Sequence, residues 1–588
     1  MKRKFLASVV AAVMIAASSA GFAAAAGTDV GPAGSFTPGT FTGTSTGYGG
    51  AFEVEVTFSE TNMLDIEVTV TNETPMWFRA ATGAMIPAML ATQSPHVDLV
   101  AGATMSSFAL FAAVVDAIGQ AGGNPMTMQP LAELPVQPLP DNTQADVIIV
   151  GSGYGGLAAA VSAAQNGASV ILIEWKGKIG GTTATALGNT TAAGSSVQIE
   201  AGNYEYSKEY LVNYWMTQQG NSHRMDGWIP ARSLTVAMNS AERIEWLRDL
   251  GMEFQPATWR MHIPVLPPGE TPGGAVLVEF LADRATELGV EIHINTRGME
   301  LVKTDGRVSG VIAQAPAGEI LFEANNAVIL ATGGWAHNRD IIAEVAPVYL
   351  PWMHFTDATV GHMGDGIFMA QAIGAAIDEY FWFIGAGLRS LQTGMPNSAS
   401  LPIGHTFVTP EGRRFTNEAH MASINFTDML FNTPEGSFMI FDSSFENLAN
   451  LAEAFGADNE LVFRADTVAE LAALLNAPYL EATVDHIADV AAGRVRDEMG
   501  RPAAHAVALT QGPFYAVFYH PFNNGTIGGV VTDQQKRVLD TEGEPIPGLF
   551  AVGETANRAY WAQVYIGGTS FQTTLTGGII AGELAATE

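Results

Sequence analysis

The chain has 588 residues, of which 63 are Gly and 47% are apolar, a size and composition that suit a globular protein of two or three domains and exclude a disordered chain. Lys and Arg number 27 against 59 Asp and Glu, a formal net charge of −32, so the field around the protein repels phosphate backbones and excludes nucleic acid as a partner. No Cys is present, which rules out disulfides, thiolate iron–sulfur clusters and thioether-attached haem. A redox centre in this chain must be a flavin or another cofactor held without thiolate, and no metal site is expected.

Lys2, Arg3 and Lys4 precede a short apolar run rich in Ala and Ser, and small residues near Ala26 suit cleavage. Residues 1–26 therefore read as a secretory signal, too short and too rich in small residues for a retained anchor, and the protein is expected to be exported to the periplasm, cell surface or medium.

From residue 36 to 120 a small α+β domain is expected. GTFTGTSTGYGG reads as a turn-rich opening, and FEVEVTFSETNMLDIEVTVTNETP alternates apolar and polar residues about one turn, which is a hairpin signal. HVDLVAGATMSSFALFAAVVDAIGQ then places Asp98, Gly102, Ala103 and Thr104 at the start of an amphipathic helical run. Small residues at a helix start leave room for a phosphate against backbone N–H groups, although the same residues suit an ordinary helix cap. With the hairpin before it, the segment resembles the FMN-binding domain of bacterial electron-transfer flavoproteins, whose pattern Asp-x-x-(Ser/Thr)-Gly-Ala-Thr it matches except at Ala101. The resemblance implies FMN joined to Thr104 by a phosphoester bond, with Gly102 and Ala103 leaving room for the flavin phosphate, Asp98 and Gly102 among the cofactor-binding residues, and a flavin transferase for maturation.

Residues 121–144 carry Pro125, Pro130, Pro135, Pro138 and Pro140, which forbid a continuous helix or ladder, so an extended linker is expected. At residue 145 a second module opens. An apolar strand reaches Val150, Gly151, Gly153 and Gly156 follow in Gly-x-Gly-x-x-Gly order, a small-residue helix succeeds them, and a further strand ends at Glu174. That set marks a dinucleotide site, with pyrophosphate on the helix N-terminus and Glu174 accepting from ribose hydroxyls. FAD and a nicotinamide cofactor share the fingerprint.

Three later segments, Gly180-Gly181-Thr182-Thr183, VILATGGW with Thr332, Gly333 and Gly334, and IPGLFAVGETAN with Gly553 and Glu554 before Gly567-Gly568-Thr569-Ser570, resemble the FAD contacts of fumarate-reductase-type flavoproteins. The resemblance implies FAD, with Asp365, Gly366 and Ser570 among its contacts. The expected fold is α/β: a Rossmann-like FAD-binding domain in two parts, 145–349 and 512–588, around an inserted α+β capping domain at 350–511 that closes the substrate site.

Within that superfamily the chain departs from fumarate reductases. Ala422 stands where they carry an Arg proton donor, Asn524-Gly525-Thr526 replaces a His-Thr pair, and Tyr565 replaces a dicarboxylate-binding Arg. Two substrate carboxylates without those cations would be desolvated unpaired, which disfavours fumarate. FYAVFYHPFNNGTIGGVVTD and VYIGGTS resemble instead the C-terminal block of 3-ketosteroid dehydrogenases, which implies that Tyr565 and the N–H of Thr569 hold a substrate carbonyl. Tyr565 also suits a packing role with a satisfied hydroxyl. That family's Tyr base is again absent at Ala422, leaving His420, Ser423 or water for proton transfer.

A tethered FMN domain on an exported chain suggests electrons from a membrane donor. Reduction of the C=C bond of a small-molecule α,β-unsaturated carbonyl or acid is therefore expected, the substrate being apolar or ring-bearing. A small-monoacid reductase of the urocanate or acrylate type and a non-catalytic flavin electron carrier are the other two readings.

Overall fold

The computed structural model describes residues 34–47, 50–71, 75–97, 104–128, 139–222, 225–267, 272–353, 355–389, 396–397, 405–420, 422–444 and 462–588. The expected signal at 1–26, together with Asp98 and Gly102, lies outside them. The chain divides into two units, Met1–Gln137 and Pro138–Glu588.

In the first unit three strands, β1 (Gly39–Gly47), β2 (Gly50–Phe58) and β3 (Met63–Thr71), make an antiparallel sheet in that order. Phe52, Val54, Val56 and Phe58 of β2 are buried while Glu53, Glu55 and Thr57 are not, the period-two signature that lets one face carry the core. Ser59 N–H donates to Asn62 O at 2.9 Å and closes the expected hairpin. The glycine- and threonine-rich opening, expected as turns, is strand β1: its β-branched Thr40, Thr42, Thr44 and Thr46 face outward and favour the extended backbone. Gly43 alone on that strand must lack a side chain, since a Cβ there would lie 1.9 Å from Ala113 O.

Two helices, α1 (Pro75–Thr92) and α2 (Thr104–Gln120), complete the unit, with Met85, Met89, Leu110 and Val114 joining Phe52 and Val56 in its core. Ala121 and Met128 are buried in the same core, and Pro125–Thr127 forms one 3₁₀ turn. The first part of the expected linker thus belongs to this unit, because its apolar residues complete the core; residues 129–138 lie outside the described set.

In the second unit five parallel strands form the middle of an eight-stranded sheet: Glu291–His293, β5 (Val170–Ile173), β4 (Gln144–Val150), Gly318–Leu330 and Pro545–Ala551. Ile148, Val150, Ile171 and Ile173 enter one core and Val147, Ile149 and Leu172 the other, as a sheet covered on both faces requires. Helix α3 (Tyr154–Gln165) packs on the C-terminal helix Thr569–Ala585 so closely that a Cβ on Gly582 would lie 2.3 Å from Ala159 O. Small residues on both helices permit that approach.

The inserted region builds a second, six-stranded sheet with Ala422–Asn432, Val468–Leu475 and Leu480–Ala491 as helices. Its central strand is Phe514–Ile527, which pairs antiparallel with Trp382–Arg389, Ser437–Asp442 and Val462–Ala465. Strand pairing therefore carries this sheet to Ile527, past the boundary expected at 511. Arg414 donates to Glu418 at 3.0 and 2.6 Å and to Asp497, and Arg501 reaches Glu418 at 3.2 Å, so two cations and two carboxylates are buried together and mutually compensated. Among the described residues no helix is long and apolar enough to cross a membrane.

Candidate functional site

The strand β4 delivers the chain to Gly151, where φ is +108° and a Cβ would meet Ala331 O at 2.3 Å. Only glycine tolerates both constraints. A Cβ on Gly156 would fall 2.0 Å from Gly151 O, so this glycine keeps the turn tight. Gly153, the N-cap of α3, differs: nothing lies nearer to its would-be Cβ than Thr183 Oγ1 at 3.9 Å, and space of this kind at a helix N-terminus is what a phosphate needs. Gly153→Val should therefore fold but lose its dinucleotide, whereas Gly156→Val should not fold. Cofactor absorbance and the thermal unfolding of each variant check the distinction.

Glu174 is buried at the end of β5. Its carboxylate accepts from Ser152 N–H at 2.9 Å, from Ser152 Oγ at 2.5 Å and from Lys176 N–H at 2.8 Å. Gly180 N–H donates to Ser152 Oγ at 3.0 Å, and Gly181 has φ +50° with open space at its Cβ position. Tyr154 N–H donates to Thr183 Oγ1 at 3.2 Å. The fingerprint glycines, Glu174 and the 180–183 turn thus line one cradle.

The other expected segments meet around His362, whose importance sequence reasoning missed. Thr182 Oγ1 lies 2.9 Å from His362 Nε2, a Cβ on Gly333 would lie 2.7 Å from the same nitrogen, and Gly334 abuts Thr526 Oγ1. Glu554 accepts from Thr526 N–H at 2.9 Å, with His362 Nδ1 at 3.6 Å. Burial pushes the Glu554 carboxyl up to about 7 and His362 down to about 3, so the two are not an ion pair at neutral pH. Thr332 Oγ1 accepts from Gly366 N–H at 3.2 Å, which ties the end of the strand Gly318–Leu330 to the helix Asp365–Ala372. Gly553, at φ +67°, turns the chain into Glu554.

Asp365, expected as a cofactor contact, is committed elsewhere: both its carboxylate oxygens accept from Arg297 at 2.8 Å, because that guanidinium presents a matching fork from the neighbouring strand.

Just before the last helix Tyr565 is packed against the core, with the backbone of Gly568 and Ser570 near enough to its hydroxyl to favour the ionised form a little. Burial pushes the phenol up to about 12, which keeps its proton available for donation. Thr569 does not supply the expected amide: its N–H donates to Ile566 O at 3.1 Å, and its hydroxyl, bonded to Ile566 O at 2.6 Å, accepts from Trp561 Nε1 at 3.0 Å. His420 lies in the cap, its N–H donating to Asn417 O at 2.9 Å and its Nε2 at 3.3 Å from Asn417 Nδ2. Ala422 opens the following helix.

Residues 146–570 match the family described as FAD binding domain, and residues 47–119 match the FMN-binding domain. The chain is 27% identical, over 94% of its length, to NADH:acrylate oxidoreductase of Vibrio harveyi, of whose length it spans 61%. It is 30% identical, over 75% of its length, to fumarate reductase (cytochrome) of Shewanella frigidimarina, of which it covers 77%. The crystal structure of 3-ketosteroid-Δ4-(5α)-dehydrogenase from Rhodococcus jostii RHA1 with 4-androstene-3,17-dione superposes with a TM-score of 0.63 at 27% identity, covering 76% of this chain and 98% of that one.

Proposed function

The chain belongs to the FAD binding domain family and carries an FMN-binding domain ahead of it, and from that premise we propose that it is an exported reductase of the C=C bond of an α,β-unsaturated carbonyl or acid. FAD and FMN are its cofactors. The cradle fits FAD: Gly153 and Gly181 leave space that would admit a pyrophosphate, Glu174 would accept from ribose hydroxyls, and Glu554 offers a buried carboxyl to hydroxyl donors. The observation that carries the reading is the Tyr565 hydroxyl, held protonated by burial in the turn that leads into the last helix.

FAD, when bound, supplies the hydride equivalent. As hydride reaches the β-carbon, the π electrons move toward the carbonyl oxygen, where Tyr565 donates its hydrogen bond to the developing charge. We assign delivery of the α-proton to His420, the titratable side chain that precedes the helix opened by Ala422. Relatives that act on acrylate and fumarate support C=C reduction by this chain. Electrons arrive through FMN on Thr104 from a membrane donor, with a flavin transferase as the maturation partner. Anaerobically reduced protein mixed with unsaturated acids and enones tests the reading: selective flavin reoxidation supports it, and silence toward all of them refutes it.

The Glu554 carboxyl adds a pH test. Its folded value of about 7 lies above the ordinary 4.5, so the apoprotein has the associated stability in full below about pH 4.5 and loses it as pH rises through 7. Glu554→Gln removes that loss. Relative to wild type, FAD-free variant should gain up to about 3 kcal/mol between pH 5 and 8 while binding FAD more weakly. Thermal unfolding of both proteins at the two pH values measures the difference; parallel curves would contradict the assignment.

A further inference from the structure

We infer that Arg260 is the carboxylate-binding residue of the substrate site, which makes the substrate an α,β-unsaturated monocarboxylate with an aromatic or flat apolar remainder. The inference rests on the reductase reading above and narrows it.

Arg260 is 4% exposed, and its Nε and Nη1 are buried without a hydrogen-bond partner. Among the described residues no carboxylate pairs with it; its neighbours are rings, with the guanidinium carbon 3.9 Å from the centroid of Trp259 and 5.2 Å from that of Tyr214. Contrast Arg414 and Arg501 in the cap, where buried guanidinium groups are matched by Glu418 and Asp497. A buried cation with unused donors costs several kcal/mol unless an anion joins it, and aromatic faces recover only part of that cost. A planar fork with free N–H groups suits a carboxylate.

Arg260 is also fixed beside Tyr565. The next residues, Met261–His262, pair with Thr190–Thr191, and Thr191 donates through N–H to Gly568 O at 3.1 Å and through Oγ1 to Gly567 O at 2.9 Å. A Cβ on Gly568 would meet Met261 Sδ at 2.7 Å, so the strand that follows Arg260 presses on the turn after Tyr565. The Arg260 charge acts on the Tyr565 phenol, favouring its ionised form. Tyr210 stacks on Tyr214 with centroids 6.0 Å apart, and Tyr206 meets Tyr210 edge-on at 4.9 Å, so the guanidinium lies against one end of a row of rings.

The chemistry uses both groups. FAD would supply hydride when bound; addition of that hydride to the β-carbon would break the C=C π bond and send its electron pair into the carboxylate, which passes from one negative charge toward two. Arg260 and Tyr565 together hold those oxygens while the charge is greatest. A proton at the α-carbon then restores the single charge, so the saturated acid leaves having gained two electrons as hydride and one proton.

The test compares acrylate, cinnamate and urocanate, each beside its neutral methyl ester, with FAD-loaded wild type, Arg260→Met and Arg260→Lys. Wild type should reduce acids in preference to esters. Arg260→Met should lower kcat/KM for the acid by about 100-fold or more and for the ester by clearly less, and should weaken calorimetric binding of 3-phenylpropanoate to the oxidised protein by a comparable factor. Arg260→Lys, which keeps the charge and loses the fork, should fall between them, and it decides the matter if the methionine variant does not fold. A folded variant with the wild-type preference for acids overturns the inference. Wild type that reduces esters and ignores acids overturns it but leaves the reductase reading standing; failure on both classes removes the two together.

Discussion

Tyr565→Phe is expected to fold, retain FAD and lose about 100-fold to 1,000-fold in turnover, the usual consequence of deleting one hydrogen-bond donor aimed at developing charge in a water-excluded site. Phenylalanine preserves the edge contact with Trp561, whose ring centroid lies 5.8 Å from that of Tyr565, so packing is not the variable. Substrate binding should suffer less than turnover, because the oxygen carries less charge in the ground state than in the transition state. Steady-state kinetics, with FAD content fixed by absorbance, measures the effect. Turnover near wild type would return Tyr565 to a packing role.

Thr104→Ala should abolish reduction by the physiological donor while sparing reduction by a small artificial dye that reaches FAD directly. Thr104 is the first residue of α2, and its hydroxyl is the proposed acceptor of FMN. Protein matured with a flavin transferase should keep one FMN through denaturation and release one FAD, and the alanine variant should release FAD alone. Mass spectrometry of the peptide containing Thr104 reads the first outcome. Loss of both electron routes in the variant would show that the FMN-binding domain is not a relay.

The dinucleotide cradle was legible in the sequence because its requirements are local. Gly151 and Gly156 are dictated by carbonyl oxygens, Ala331 O and Gly151 O, that leave no space for a Cβ, and such a demand forces one residue type. Thr569 was misjudged for a reason spacing cannot reveal: which amide of a helix start is free depends on the turn before it, and here Ile566 O takes the amide of Thr569. Strand β1 was hidden because Gly and Thr also make turns, and only its pairing with β2 settles its form. Arg260 was illegible on different grounds. Its importance lies in the company it lacks, and a buried guanidinium without a carboxylate is a fact of three-dimensional packing, not of the residues WRMH.

The strand Phe514–Ile527 has a consequence for anyone who would graft a new specificity onto this flavoprotein. Residues 514–519 hold two neighbouring strands of the cap in register and residues 520–527 pair with a third, while Thr526, near the end, donates N–H and Oγ1 to Glu554 at 2.9 and 3.2 Å. The cap is therefore not a cassette. A transplant joined at residue 511 would reach the host without its own central strand, and one carried through to residue 527 would discard the host's grip on Glu554. The workable seam falls inside the strand: the incoming domain supplies its residues up to Phe522, and the host keeps Gly525–Ile527.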